Sequence, residues 1–223
     1  MFKLLMITGV DEAGRGPAIG PLVVAGVTID DNSKLVKNKI KDSKKLSPRR
    51  RQYLSAKIIK MAVNYELLVI PAKDIDDMRK VMTLNDIEVN AFSKVIKKLN
   101  PEICYVDSAD VDEERFKQNI LNNLTRKPDI ISKHKADDIY PVVSAASILA
   151  KIKRDEIIKD ISFKLERKVG IPMGSGYPAD PITVRFLRKW INTFGSFPPE
   201  IRHSWKTIKN LENEKINKKL EDF

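Results

Sequence analysis

The sequence predicts an α/β domain, a mixed sheet flanked by helices, with a C-terminal helical extension. Three observations carry this. Short apolar runs alternate with amphipathic stretches of helical period as far as about residue 170. The first two runs, 4–10 and 22–29, flank a Gly/Pro-rich turn, as a hairpin-like start requires. Beyond Gly170 the chain turns into Gly/Pro-punctuated loop and charge-rich helical segments. The expected organisation is an α/β region over 1–170 and a helical region over 171–223. No Pro/Ser/Gly linker divides them, so they are expected to pack as one unit.

The elements follow in chain order. Leu4 to Val10 and Leu22 to Ile29 read as strands, and the polar, basic stretch from Asp30 to Ser43 as a loop. Ser47-Pro48 is a helix start, with Ser as N-cap and Pro in the first turn. That helix carries Tyr53, Leu54, Ile58 and Met61 at helical spacing. Glu66 to Ile70 is a strand stopped by Pro71, and Asp74 to Met78 a short helix. Ile87, Ala91, Val95 and Leu99 form one stripe of a stronger helix over 84–99. A strand over 102–107, a helix over 112–124 and a strand over 129–134 follow, and a long helix starts near Pro141 and continues towards Arg167.

Composition narrows the function. The 223 residues are 42% apolar and 32% charged, enough to bury a core without covalent staples. Cys104 is the only cysteine, which excludes an internal disulfide and a thiolate zinc cluster. The N-terminal apolar stretch runs straight into Asp11-Glu12, unlike a signal peptide, and no run is long enough to span a membrane. A soluble, cytoplasmic protein, a monomer, is the expectation. A net charge of +11 suits a polyanionic partner, although a generally lysine-rich surface would give the same total.

The chemistry gathers at acids. Asp11 and Glu12 stand together at the end of an apolar run, followed by Gly14-Arg15-Gly16. Adjacent carboxylates beside a buried strand repel and must be paired or bound to metal. The glycines let backbone approach a ligand closely, and Arg15 supplies a cation. Two further apolar segments end in acid, Val106 into Asp107 and His134-Lys135-Ala136 into Asp137-Asp138. Strand ends are where loops converge over a rigid platform. Hard oxygen donors without a Cys or His cluster favour Mg²⁺ or Mn²⁺, and two such ions roughly 3.5–4 Å apart can drive phosphodiester hydrolysis. Singly, each acid also reads as a helix cap or a solvated loop residue. Asp137 precedes a helix rich in small residues, where the dipole favours a carboxylate, and Asp138 competes on spacing.

Two further segments are candidates for substrate contact. Lys44 and Lys45 precede a helix start, where an anion on the helix amides would offset their repulsion by the dipole; an ordinary basic loop is the alternative. Gly174-Ser175-Gly176-Tyr177-Pro178 is a tight turn presenting an aromatic that can stack on a base or bond a ribose hydroxyl, or merely fill the turn. His134 and His203 read as structural or surface residues.

Along almost its whole length the chain resembles type 2 ribonuclease H, the ribonuclease HII of archaeal type. The resemblance rests on Gly9-Val10-Asp11-Glu12-Ala13-Gly14-Arg15-Gly16-Pro17, Asp42-Ser43-Lys44-Lys45-Leu46 and Tyr105-Val106-Asp107-Ser108. His134-Lys135-Ala136-Asp137 leading into Val143 to Lys151, Gly174 to Pro178, and Arg202-His203-Ser204-Trp205-Lys206-Thr207 extend it. It implies an RNase H-like fold with a helical C-terminal region, and Mg²⁺- or Mn²⁺-dependent hydrolysis of the RNA strand of RNA–DNA hybrids. Cutting at single ribonucleotides embedded in DNA is also implied, with 3′-hydroxyl and 5′-phosphate products. The family's acidic ligands fall on Asp11, Glu12, Asp107 and Asp137, the first acid after His-Lys-Ala being the match. Its ribose-sensing residues fall on Gly14, Arg15, Gly16 and Tyr177, and its phosphate contacts on Lys44 and Lys45.

The tail, Asn217 to Phe223, resembles a shortened sliding-clamp-binding motif with Leu220 and Phe223 as apolar plugs, although a charged helix end would read similarly. The sister ribonuclease HIII normally carries an extra N-terminal domain, which is not expected where the acid motif begins about ten residues in. A non-catalytic hybrid-binding module is disfavoured because all four acids are present.

Overall fold

A computed structural model describes residues 6–38, 40 and 46–221, and the side chains of 6–38, 40 and 46–217. Among these residues five strands form one sheet in the order β3-β2-β1-β4-β5: β1 Ile7–Ala13, β2 Leu22–Ile29, β3 Asn64–Ile70, β4 Ile103–Asp107 and β5 Asp129–Lys133. β1 runs antiparallel to β2 and parallel to β4, and β4 is parallel to β5. The sheet is therefore mixed, as expected.

The helices are α1 Ser33–Lys37, α2 Pro48–Met61, α3 Ala72–Met78, α4 Leu84–Leu99, α5 Glu113–Asn122, α6 Ala136–Ile139, α7 Pro141–Val169, α8 Pro181–Phe194 and α9 Lys206–Glu221. Ser47 caps α2 by accepting from Arg50 N, with Pro48 in the first turn. α4 covers the expected range because its apolar stripe is reinforced by a reciprocal Thr83–Asp86 capping box.

Four details depart from the sequence reading. β1 continues past Val10 through Ala13, because Asp11, Glu12 and Ala13 stay paired with Ala25, Val24 and Val23 of β2. The ladder thus holds both acids inside the strand rather than after it. α1 and α6 are single turns without an apolar stripe that could announce them. Tyr53 leaves the buried stripe of α2: it is 51% exposed, with the Arg50 and Lys57 cations 5.1 and 4.9 Å from its ring centre.

The chain forms two compact units interleaved in sequence. One comprises 1–13, 23–69 and 83–153; the other comprises 14–22, 70–82 and 154–223. The unit that holds residues 171–223 thus also takes in the glycine loop after β1, α3 and α7 from Arg154 onward. Each unit has its own core. In the first, Val23, Ala25, Val27 and Ile29 of β2 pack with Leu54 and Ile58 of α2 and with Val142, Val143 and Ala146 of α7. In the second, Ala18 and Ile19 pack with Phe186, Leu187 and Trp190 of α8 and with Ile208 and Leu211 of α9.

Candidate active site

Gly9 of β1 decides how closely the sheet meets α7. A Cβ there would lie 2.4 Å from the carbonyl carbon of Val142 and 2.5 Å from Val143 N, so only glycine lets the helix backbone rest on the strand. The small residues at the start of α7 complete the fit: Ser144, Ala145, Ala146 and Ser147 are all fully buried. This close seat brings Ser147 to β1, where its hydroxyl donates to the Asp11 carboxylate.

Asp107 ends β4, next to β1 in the sheet. Its Oδ1 accepts from Ala136 N at 3.0 Å. That bond depends on Lys135, whose backbone is left-handed (φ +55°), an uncommon state for a non-glycine residue that costs about 1 kcal/mol or more. The turn delivers Asp137 in α6, 1% exposed, towards the other two acids. Asp137 is therefore not at the start of the long helix; α6 ends at the extended Tyr140, and α7 begins anew at Pro141. Around this turn Glu113 accepts from His134 N at 2.7 Å and from Lys133 Nζ at 3.0 Å, and the His134 ring meets Val111 O at 3.3 Å.

Asp11, Asp107 and Asp137 each offer a carboxylate oxygen within 4.8 Å of the others. Asp11 is 4% exposed. Burial pushes its pKa well up, and the charges of Glu12, Asp107 and Asp137 add to the rise; the Ser147 bond opposes it. A cluster of buried, mutually repelling carboxylates with hard oxygen donors is what a divalent cation neutralises. Glu12 is half-buried and is not one of the three converging acids, but its charge raises the Asp11 pKa more than either of the other two does. Ser147 carried no signal beyond being small; its bond to Asp11 comes from tertiary packing.

The second unit builds a different feature. Gly14 has φ +91°, and a Cβ there would lie 2.4 Å from Pro21 O. Arg202, fully buried, donates Nε to Gly20 O at 2.9 Å, Nη1 to Arg15 O at 2.9 Å and Nη2 to Gly14 O at 2.5 Å. Trp205 Nε1 donates to Gly16 O at 3.1 Å, and its ring lies 4.7 Å beneath the Arg202 guanidinium. The carbonyls of Gly14, Arg15 and Gly16 are thus all occupied. Burial pulls the Arg202 pKa down, with the nearby Arg154 cation adding to the drop.

Tyr177 is 44% exposed, and its ring stands 3.5 Å from where a Gly16 Cβ would sit. Its turn is fixed from below: Asp180 Oδ2 accepts from Ser175 N at 2.7 Å and Ser175 Oγ at 2.8 Å, and Thr183 Oγ1 accepts from Gly176 N at 2.9 Å. Gly176 O in turn accepts from Ala18 N at 2.8 Å. The structure thus brings Gly14, Arg15, Gly16 and Tyr177 into one unit. Lys44 and Lys45 lie outside the described residues, as do Phe223 and the side chain of Leu220. No described helix is long and apolar enough to cross a membrane.

A mixed sheet in this strand order, flanked by helices and carrying converging acids at neighbouring strands, defines the class: an RNase H-like fold of the metal-dependent kind. The family model for ribonuclease HII matches residues 8–208. The ribonuclease HII of Methanococcoides burtonii is 49% identical, over 93% of this chain and 99% of its own length. The structure is similar to that of ribonuclease H2 from Pyrococcus horikoshii (TM-score 0.85, 40% identity, 94% of this chain and 98% of the other). It is also similar to the Archaeoglobus fulgidus ribonuclease HII solved in complex with PCNA (TM-score 0.81, 42% identity, 91% and 96%). The chain belongs to the ribonuclease HII family. Membership makes it a divalent-metal-dependent endoribonuclease directed at RNA–DNA hybrids.

Proposed function

We propose that this enzyme hydrolyses the RNA strand of RNA–DNA hybrids and also cuts on the 5′ side of single ribonucleotides embedded in duplex DNA, serving ribonucleotide removal and RNA primer processing in the cytoplasm. The observation that carries the reading is the convergence of Asp11, Asp107 and Asp137 within 4.8 Å in a chain of this family. Two Mg²⁺ or Mn²⁺ ions, held by these acids with Glu12, would supply the Lewis acidity for attack of water on the phosphodiester. Attack at phosphorus breaks the P–O3′ bond, leaving a 3′-hydroxyl upstream and a 5′-phosphate on the ribonucleotide. The buried Ser147 hydroxyl orients Asp11, and Ala136 N orients Asp107, so the donors need little rearrangement when substrate arrives.

Recognition of the ribonucleotide is assigned to Gly14, Arg15, Gly16 and Tyr177. Arg202 and Trp205 hold the loop's carbonyls and so fix its backbone close to where a 2′-hydroxyl would sit, and Tyr177 offers a phenol and a stacking face. Lys44 and Lys45 are proposed phosphate contacts. Leu220 and Phe223 are proposed to engage a sliding clamp, which the PCNA-bound relative supports; clamp pull-down unchanged by deletion of 220–223 would retire that part.

The test is a gel cleavage assay on a DNA duplex containing one ribonucleotide, beside the all-DNA duplex and a long hybrid, with Mg²⁺ and then Mn²⁺. A single cut 5′ of the ribonucleotide, with the all-DNA duplex intact, is expected. Cleavage of the long hybrid alone would reject the embedded-ribonucleotide reading, and no cleavage of any substrate would reject the whole.

A further inference from the structure

Arg154 has no part in the site as described so far, and its surroundings are unusual. The residue is only 8% exposed, yet Nε and Nη2 are buried without a hydrogen-bond partner. These two nitrogens share one edge of the planar guanidinium, the edge that forms parallel bonds to two oxygens of a phosphate or carboxylate. Its acidic neighbour, Asp155, is 3.8 Å from Nη1, on the opposite side, with a side chain 47% exposed.

The free edge sits among the residues proposed to read the ribose. A Cβ on Gly14 would fall 2.8 Å from Arg154 Cδ and 2.9 Å from Nε, and the guanidinium lies 5.7 Å from the centre of the Tyr177 ring. The neighbouring buried cation, Arg202, is committed to neutral carbonyls. Asp76, which favours the Arg202 charge, already accepts from His203 N and Ser204 N at 2.7 and 2.9 Å. Two buried like charges beside one another, one with two unmet donors, are costly unless an anion joins them. An apolar side chain would fill the same space without that cost, so packing against Tyr177 does not by itself account for an arginine here.

We infer that the Nε–Nη2 edge of Arg154 is a subsite for one backbone phosphate of the nucleic acid, adjoining the nucleotide that Gly14 and Tyr177 read. This rests on the recognition role proposed above for that loop. Seating a phosphate there would position the ribose against Gly14 and the Tyr177 ring, making Arg154 a determinant of register as well as of affinity.

A methylphosphonate scan tests it. Binding of the full-length protein is measured in EDTA on single-ribonucleotide and all-DNA duplexes whose phosphates are made neutral one at a time. For the wild type, one position flanking the ribonucleotide is expected to weaken binding about tenfold or more. Arg154→Met should bind the unmodified duplex about tenfold more weakly, lose no further affinity from that same methylphosphonate, and show a salt dependence reduced by about one unit in log K against log salt. Additive losses at every phosphate, with an unchanged salt slope, would overturn the subsite and leave Arg154 a packing residue. If Arg154→Met does not fold, Arg154→Lys serves instead. A point charge should keep part of the sensitivity at that one phosphate, and undiminished sensitivity there would equally overturn the assignment. Equal wild-type affinity for the two unmodified duplexes would reject the ribose-reading role of the loop, while the scan on all-DNA duplex would still report on Arg154.

Discussion

The acid cluster of the first unit and the glycine loop of the second solve opposite problems. The cluster gathers like charges: Asp11 is buried against three other acids, and the turn that delivers Asp137 holds Lys135 at positive φ. It is strained until a cation arrives. The loop gathers neutral dipoles, and its carbonyls are already satisfied by Arg202 and Trp205. It is preorganised before any ligand is present. Chemistry at phosphate needs concentrated charge, whereas recognition of one hydroxyl needs fixed geometry, and under the proposed function the two regions would divide those demands.

The largest effect should come from the acids. Asp107→Asn removes one carboxylate charge while keeping an oxygen to accept from Ala136 N, so cleavage should fall roughly a thousandfold or more with much less loss of substrate binding. Single-turnover cleavage and binding measured side by side separate the two, and full turnover would remove Asp107 from the ligand set. The loop should respond through stability instead. Arg202→Met leaves buried carbonyls of Gly14, Arg15 and Gly20 without their donors, which should cost about 3–5 kcal/mol in urea unfolding. A loss below about 1 kcal/mol would mean that the loop is held by other means.

The contrast also governs what the sequence could disclose. Local rules served α4, where Thr83, Asp86 and the 87-91-95-99 stripe agree, and the alternating strands and helices gave the mixed sheet. Acids that follow apolar runs pointed to chemistry at the sheet because such runs are local features, although only Asp107 ends a strand, with Asp11 inside β1 and Asp137 in α6. The supports of the loop were not legible in the same way. Arg202 reaches Gly14 across 188 positions, and although it stands in one of the motifs of the resemblance, nothing local to it names that partner. The interleaving of the units is likewise a product of long-range packing. Gly9 could be read as part of a motif, but its reason, the backbone of Val142 and Val143 at 2.4–2.5 Å, is tertiary.

A smaller effect sharpens the recognition half of the comparison. Gly16 does not have positive φ, and a Cβ there would meet only the Tyr177 ring at 3.5 Å, an ordinary contact. Gly16→Ala should therefore change stability by no more than about 0.5 kcal/mol. The added methyl group nevertheless occupies the space between loop and phenol, and should reduce the preference for a ribonucleotide-containing duplex by about tenfold. Competition between ribonucleotide-containing and all-DNA duplexes reads this directly. An unchanged preference would take the ribose away from that gap.

The smallest effect tests the strain of the cluster itself, without turnover. Because the Asp11 carboxyl has its pKa raised on folding, the folded chain holds a proton that the unfolded chain has released. As pH rises from about 4, near the ordinary carboxyl value of 3.8, towards the raised folded value, the metal-free protein should therefore lose stability. Asp11→Asn carries no titrating group there and should be more stable than the wild type by about 0.5–2 kcal/mol at neutral pH in EDTA. Saturating Mg²⁺ should raise the wild-type melting temperature and barely move that of the variant, because a ligand stabilises only the state that binds it. If Asp11→Asn instead melts below the wild type in EDTA, the Ser147 bond outweighs the repulsion, and the cluster is as settled without its ion as the glycine loop is without its substrate.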